Sequence, residues 1–226
     1  MSIIKLLRLW GRKQYDSFYC KKWTDIECLG EGNSWHVLTS NLDDNSIIYS
    51  AGVGHDISFE KALVSQFNVN IELFDPSPTA EKTMELGENK IEKIHFYPVG
   101  FSGKSGTVQF AHPEQEQEGS FRIPGKNDVS VGFQCRNLSS LMKERGHSKV
   151  DLLKMDIEGF EYEVIDSILQ DSLDIKQICV EFHHFMPSIK RKKTLKAIAD
   201  LKASGFVLFY KTRFDYSFYK NDNFIS

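Results

Sequence analysis

A short apolar run that stops in acid restricts this chain more than any other feature. Val150-Asp151-Leu152-Leu153-Lys154-Met155 is bounded on its left by the polar stretch from Arg145 to Lys149 and followed by Asp156, Glu158, Gly159 and Glu161. A run of this length reads as a buried strand, and the spacing of Phe160, Val164, Ile165, Ile168 and Leu169 predicts a helix after it. Strand then helix is the step from which a parallel sheet is built, and it points to an α/β fold. Open α/β sheets hold their ligands at the carboxyl ends of such strands, where Asp156 and Glu158 stand. The plainer reading is that Asp156 caps the helix and Glu158 favours its positive end.

The same alternation runs upstream. Ile47 to Ala51 is a β-favouring run, and Phe59, Leu63, Val64 and Phe67 after it share a helical face. Asn70 to Phe74 is the next strand, stopped by Asp75-Pro76-Ser77-Pro78, because each proline pushes the residue before it out of the helical region. Thr79 to Leu86 is expected as a helix, and Ile94 to Tyr97 as a strand that ends at Pro98-Val99-Gly100-Phe101. Strand-like runs at Thr107–Phe110 and Ser130–Cys135 predict a hairpin excursion with a mobile loop over Pro113–Gly119. Leu138 to Arg145 is a short helix. Downstream, Gln177–Phe182 is a strand ending in His183-His184, and Lys190 to Ser204 is a helix stopped by Gly205. Phe206–Lys211 and Tyr216–Lys220 are the last strands, antiparallel through a turn around Arg213.

Composition narrows the class. A chain of 226 residues builds a core that needs no staple, and 41% hydrophobic with 26% charged residues suits an ordinary soluble globule. The net charge of −3 argues against nucleic-acid binding by general electrostatics. Cys20, Cys28, Cys135 and Cys179 form no CxxC pair and suit neither a zinc site nor a disulfide framework; reduced thiols fit a cytoplasmic location. Lys5 and Arg8 interrupt the apolar N-terminus, which reads as a short amphipathic helix rather than a signal peptide or membrane span. Residues 1–45 carry Trp10, Tyr15, Phe18, Tyr19, Trp23 and Trp35, and are expected as a cap or lid, or as cover for a sheet edge, ahead of a domain at 46–226.

Ser50-Ala51-Gly52-Val53-Gly54 lies between a strand and a helix. Glycine there allows a tight turn and close approach of backbone to ligand. Asp75, ending the next strand, is placed to accept hydrogen bonds from ribose hydroxyls. Together they point to an adenosine-containing ligand. The dinucleotide fingerprint wants a third glycine where Ile57 stands, and Asp56 at the helix start repels phosphate. S-adenosylmethionine, with adenosine, a sulfonium and no phosphate, suits the site better than a dinucleotide.

Tyr49 to Glu60, Phe74-Asp75-Pro76 and Asp151-Leu152-Leu153-Lys154-Met155-Asp156-Ile157-Glu158-Gly159 together resemble the FkbM-type class I methyltransferases. The resemblance runs from about Trp35 to the end, and Leu-Lys-x-Asp-x-Glu-Gly is its specific part. It implies a Rossmann-like, seven-stranded, mostly parallel sheet with helices on both faces, S-adenosylmethionine as donor, and O-methylation of a small-molecule or sugar hydroxyl. The cofactor set is then Ser50, Ala51, Gly52, Val53, Gly54, Asp56, Asp75, Pro76, Gly100, Phe101 and Asp156. One departure is Ser50, which stands where such enzymes often carry an acid two residues before the first glycine.

Asp156, Glu158 and His183 are the candidates for catalysis, since His183 or His184 is placed to remove a proton from an acceptor hydroxyl. Asp156, Glu158, Glu181 and His183 are also of the types that hold a divalent metal, but no close spacing forces that, and no metal is expected. Lys190-Arg191-Lys192-Lys193 reads as a solvated face or a patch for an acidic substrate. The acceptor is expected to be a small molecule, sugar or acidic metabolite, with no nucleic-acid partner. Two rivals stay open: a nicotinamide-dependent oxidoreductase, and a methyltransferase-like binding protein without catalysis.

Overall fold

The computed structural model describes residues 23–32, 34–113 and 119–221. The expected N-terminal helix, Cys20 and most of the expected Pro113–Gly119 loop lie outside them. The described chain opens with β1 (Ile26–Leu29) and β2 (Trp35–Leu38), an antiparallel hairpin. Next come β3 (Ile47–Ala51), α1 (Ser58–Phe67), β4 (Asn70–Phe74), α2 (Pro78–Glu85) and β5 (Ile94–Tyr97). β6 (Gly100–Phe101), β7 (Gly106–Ala111) and β8 (Ser130–Arg136) follow. The rest is α3 (Leu138–Arg145), β9 (Val150–Met155), α4 (Glu161–Gln170), β10 (Ile175–Glu181), α5 (Arg191–Ala203), β11 (Phe206–Lys211) and β12 (Asp215–Lys220).

The main sheet has seven strands in the order β11-β12-β10-β9-β3-β4-β5. β10, β9, β3, β4 and β5 run parallel, and β12 lies antiparallel between β10 and β11. The chain winds outward from β3 in one direction and from β9 in the other. The switch point, where a crevice opens beyond the strand ends, is therefore between β3 and β9. Ala51 pairs with Met155 across it, so the glycine turn and the acidic end leave the sheet side by side.

Local chemistry places the helices. Ser77 caps α2 by accepting from the Ala80 N–H, and Pro78 fills a first-turn position that needs no N–H. Asn137 caps α3 in the same way, and Gly146 closes it at φ 72. On one sheet face Leu141, Ile165, Ile168 and Leu201 from α3, α4 and α5 bury against the strands. On the other, Phe59 and Leu63 of α1 pack with Trp35 and Val37 of the hairpin. Gln177 anchors that hairpin: its side chain accepts from Leu38 N–H at 3.0 Å and donates to Leu38 O at 2.9 Å.

The excursion is broader than the expected hairpin. β8 pairs antiparallel with β7 and parallel with the short β6, making a three-stranded sheet. Phe110 and Phe133 from it pack with Phe160, just before α4, which holds the excursion over the strand ends.

Candidate active site

A cavity of about 370 Å³ opens at the switch point, a size in the range of small-molecule and cofactor sites. Gly52, Val53, Gly54 and Asp56 line it from the turn after β3, Asp75 and Pro76 from the end of β4, Gly100 and Phe101 from β6, and Asp156 and Glu158 from the loop after β9. Gly119, Ser120 and Phe121 of the excursion close part of it. Ser50 and Ala51, expected in the cofactor set, are not in the lining. Both are still inside β3, where side chains point to the sheet faces rather than off the strand end. Ser50 is 0% exposed and donates to Glu60 Oε1 at 2.5 Å, while Ala51 packs in the core of the opposite face.

The glycine turn is built almost wholly from paired groups. Gly52 sits at φ 92 and donates its N–H to Phe74 O at 2.9 Å. A Cβ on it would lie 1.9 Å from the Asp156 carbonyl oxygen, so glycine is required for the close approach of β3 and β9. A Cβ on Gly54, at φ 52, would meet no protein atom within 4 Å; that position faces open cavity. Asp75 holds the turn with one carboxylate oxygen, which accepts from Val53 N–H at 2.8 Å and Gly54 N–H at 3.3 Å, while its other oxygen accepts from Ser77 N–H at 2.8 Å. Asp56 spends its carboxylate on the start of α1, accepting from Ser58 N–H at 2.7 Å and Ser58 Oγ at 3.0 Å.

Beneath the turn lies a pair that sequence reasoning missed. Lys154, buried in β9, donates from Nζ to Gly52 O at 2.5 Å and lies 5.4 Å from the Trp35 ring centroid. Glu60 of α1 is buried with it; burial pushes its carboxyl up, and the Lys154 charge opposes that. A lysine inside an otherwise buried strand was the available signal. Glu60 supplies from the helix an acid next to Ser50.

On the acid side, β9 ends at Met155 and α4 begins at Glu161. Phe160 occupies the cap position of α4 without a side-chain cap bond, so Asp156 is not the helix cap. Glu158 takes the left-handed conformation at φ 52, uncommon for a residue with a side chain, and its carbonyl accepts from Ile123 N–H at 2.9 Å. That turn brings Asp156 and Glu158 together on the ring of His183. Its Nε2 is 3.6 Å from Asp156 Oδ1 and 3.4 Å from Glu158 Oε2. His183 is not in the cavity lining; it stands behind the two acids, 2% exposed. Glu161, 0% exposed, accepts from Gly159 N–H and His183 N–H, both at 2.9 Å, and sits 3.5 Å from His183 Nδ1.

These charges act on one another. Burial alone would lower His183, but the carboxylates of Glu161, Glu158 and Asp156 outweigh it and lift the ring to about 9. So raised, the ring is a poor base at neutral pH unless another cation takes the place of its proton among the carboxylates. Burial raises Glu158, with His183 opposing, and burial with the nearby Asp156 charge raises Glu181 well above the usual carboxylate range. His184 is separate: it shares a 3.2 Å hydrogen bond with Thr194 and is lowered by burial.

Glu158 and Ser120 also line a wider, open groove with Arg122, Lys126, Phe185 and Met186. Phe185 is 51% exposed there, and Arg122 pairs with Asp128 at 2.5 Å.

Residues 20–213 match the Methyltransferase FkbM domain. The human probable methyltransferase-like protein 24 is 26% identical over 145 residues, 63% of this chain and 34% of its own. The 2-O-methyltransferase NoeI of Sinorhizobium fredii is 27% identical over 41% of this chain and 44% of its own. The hexuronic acid methyltransferase AglP of Haloferax volcanii is 20% identical over 80% of this chain and 73% of its own. The chain thus spans about a third of the length of the human relative. A crystal structure of methyltransferase FkbM from Methylobacillus flagellatus superposes with TM-score 0.50 at 12% identity, over 91% of this chain and 49% of that one, and shows the shared class I fold. No helix among the described residues is long and apolar enough to cross a membrane. With the domain match covering most of its length and the strand order of that fold, the chain belongs to the FkbM methyltransferase family.

Proposed function

We propose that this protein is an S-adenosylmethionine-dependent O-methyltransferase acting on a hydroxyl of a sugar or other small molecule, acidic ones included. The observation that carries the reading is a single cavity that joins the glycine turn and Asp75 to Asp156 and opens past Glu158 into a second groove. The open space beside Gly54 is a cradle that a side chain would fill, which fits a ligand lying against backbone. Family membership favours methyl transfer over the nicotinamide alternative. NoeI and AglP, by name a 2-O-methyltransferase and a hexuronic acid methyltransferase, favour oxygen and a carbohydrate acceptor.

The bound cofactor supplies an electrophilic methyl group on sulfur. The glycine turn, Gly100 and Phe101 would hold and orient it, and Asp156 would offer its cationic sulfur a carboxylate. Glu158, raised by burial and placed at the junction with the groove, takes the acceptor hydroxyl proton. Arg122 and Lys126 line the groove where an acidic acceptor would lie, and Phe185 offers it a flat apolar face. Proximity and alignment supply most of the rate.

The test is transfer of labelled methyl from S-adenosylmethionine to a panel of sugars and uronic acids, with the product identified as a methyl ether. Glu158→Gln is expected to lose turnover at least a hundredfold and keep cofactor affinity. Transfer to nitrogen or carbon, or full turnover in that variant, contradicts the assignment.

A further inference from the structure

We propose that Asp156, Glu158 and His183 form a binding site for one divalent transition-metal cation of the manganese type, at the junction of the cavity and the groove. The three side chains come from two chain segments, the loop after β9 and the end of β10, and each offers one ligand atom within 4.8 Å of the others. His183 Nε2 is turned into the gap between the carboxylates at 3.6 Å and 3.4 Å. Those contacts are long for charge-assisted hydrogen bonds, which run at roughly 2.7–2.9 Å. They suit neighbouring ligands of one ion: around a cation bound at 2.0–2.2 Å, such atoms stand about 3 to 3.6 Å apart.

The ring has the support that a metal-bound histidine usually has. It is 2% exposed, and its Nδ1 makes no hydrogen bond, with Glu161 Oε1 3.5 Å away. A buried carboxylate behind the distal nitrogen orients a ligating imidazole and raises its basicity. Glu161 is itself fixed by the N–H groups of Gly159 and His183. A small shift of the ring toward Glu161 would complete that bond and aim Nε2 at a cation.

The donor set indicates the ion. Two carboxylates with one imidazole suit a cation that takes oxygen and nitrogen ligands together, as manganese does, over calcium or magnesium, which take oxygen ligands. Asp156 and Glu158 both line the cavity, so three protein ligands leave coordination positions facing it. Adjacent hydroxyls of a sugar would fill those positions; the cation would acidify the one to be methylated, and its proton would pass to the carboxylate oxygen of Glu158 that does not hold the ion. That role rests on the methyl-transfer reading; the binding does not.

The rival arrangement keeps a proton on His183 as the internal counter-charge of the two acids and needs no metal. Titration of Mn²⁺ into the full chain after chelator treatment, with free Mn²⁺ followed by electron paramagnetic resonance, separates the two. We expect one Mn²⁺ per chain, with affinity at least tenfold weaker in both His183→Gln and Glu158→Gln. Circular dichroism in metal-free buffer checks that each variant folds; should the buried His183 variant not fold, Glu158→Gln decides. Absence of stoichiometric binding, or unchanged affinity in the folded variants, overturns the site. Calorimetry with S-adenosylhomocysteine in chelator keeps the two readings apart. Mn²⁺ binding without the nucleoside removes the donor assignment and leaves the metal site standing; nucleoside binding without Mn²⁺ does the reverse.

Discussion

The glycine side of the cavity and its acid side are built in opposite ways. On the glycine side, Asp75 takes three backbone N–H groups, Lys154 holds the Gly52 carbonyl, and Asp56 closes the start of α1. On the acid side, Asp156 and Glu158 face His183 at 3.4–3.6 Å, Glu158 is in a left-handed turn, and His183 Nδ1 makes no hydrogen bond. One side is satisfied without a ligand. The other crowds like charges behind a single cation, which is how proteins hold titratable groups away from their ordinary behaviour at working sites.

The strongest way to break that contrast is at Gly52. Gly52→Ala drives a methyl into the Asp156 carbonyl and forces a residue with a side chain to φ 92. A loss of more than about 3 kcal/mol is expected in urea unfolding, because neither backbone can move without parting β3 from β9. A loss below 1 kcal/mol would mean that the turn is not the rigid side.

The acid side shows instead in pH dependence. The folded His183 lies near 9, above its ordinary value, so the stability it contributes is full below about pH 6.5 and is lost as pH rises through about 9. Glu181, raised in the fold, acts with the same sign, since ionising it costs the folded state more than the unfolded one. In chelator, unfolding free energy is expected to fall by at least roughly 3 kcal/mol between pH 6.5 and 9.5, and less in His183→Gln. A flat profile over that range would remove the charge crowding.

The two sides also differed in how far they could be read from sequence. The parallel strands, the glycine turn and the acid at the end of β9 follow from periodicity and from glycine and proline chemistry, which are local. Three features are not local. Positive φ occurs at Glu158 as well as at Gly159, and only the glycine marks such a turn in the sequence, so the meeting of Asp156, Glu158 and His183 could not be read. The stretch from Asp156 to Phe160 continues neither the strand nor the helix that flank it. Glu60 finds Ser50 only through packing of α1 on the sheet, and Gln177 finds Leu38 across 139 residues. Ser50 and Ala51 adjoin the turn in one contiguous motif, although the strand still holds them.

The smallest effect on stability comes from Gly54, and it tests the central claim most directly. Asparagine tolerates the left-handed conformation and Gly54 faces open cavity, so Gly54→Asn should change stability by less than about 1 kcal/mol. Calorimetric titration of S-adenosylhomocysteine into both proteins is the measurement. The wild-type protein is expected to bind one equivalent, and the variant to bind at least a hundredfold more weakly, because its side chain occupies the cradle beside the glycine turn. No binding by the wild type, or equal affinity in a folded variant, would show that this cavity does not hold the methyl donor.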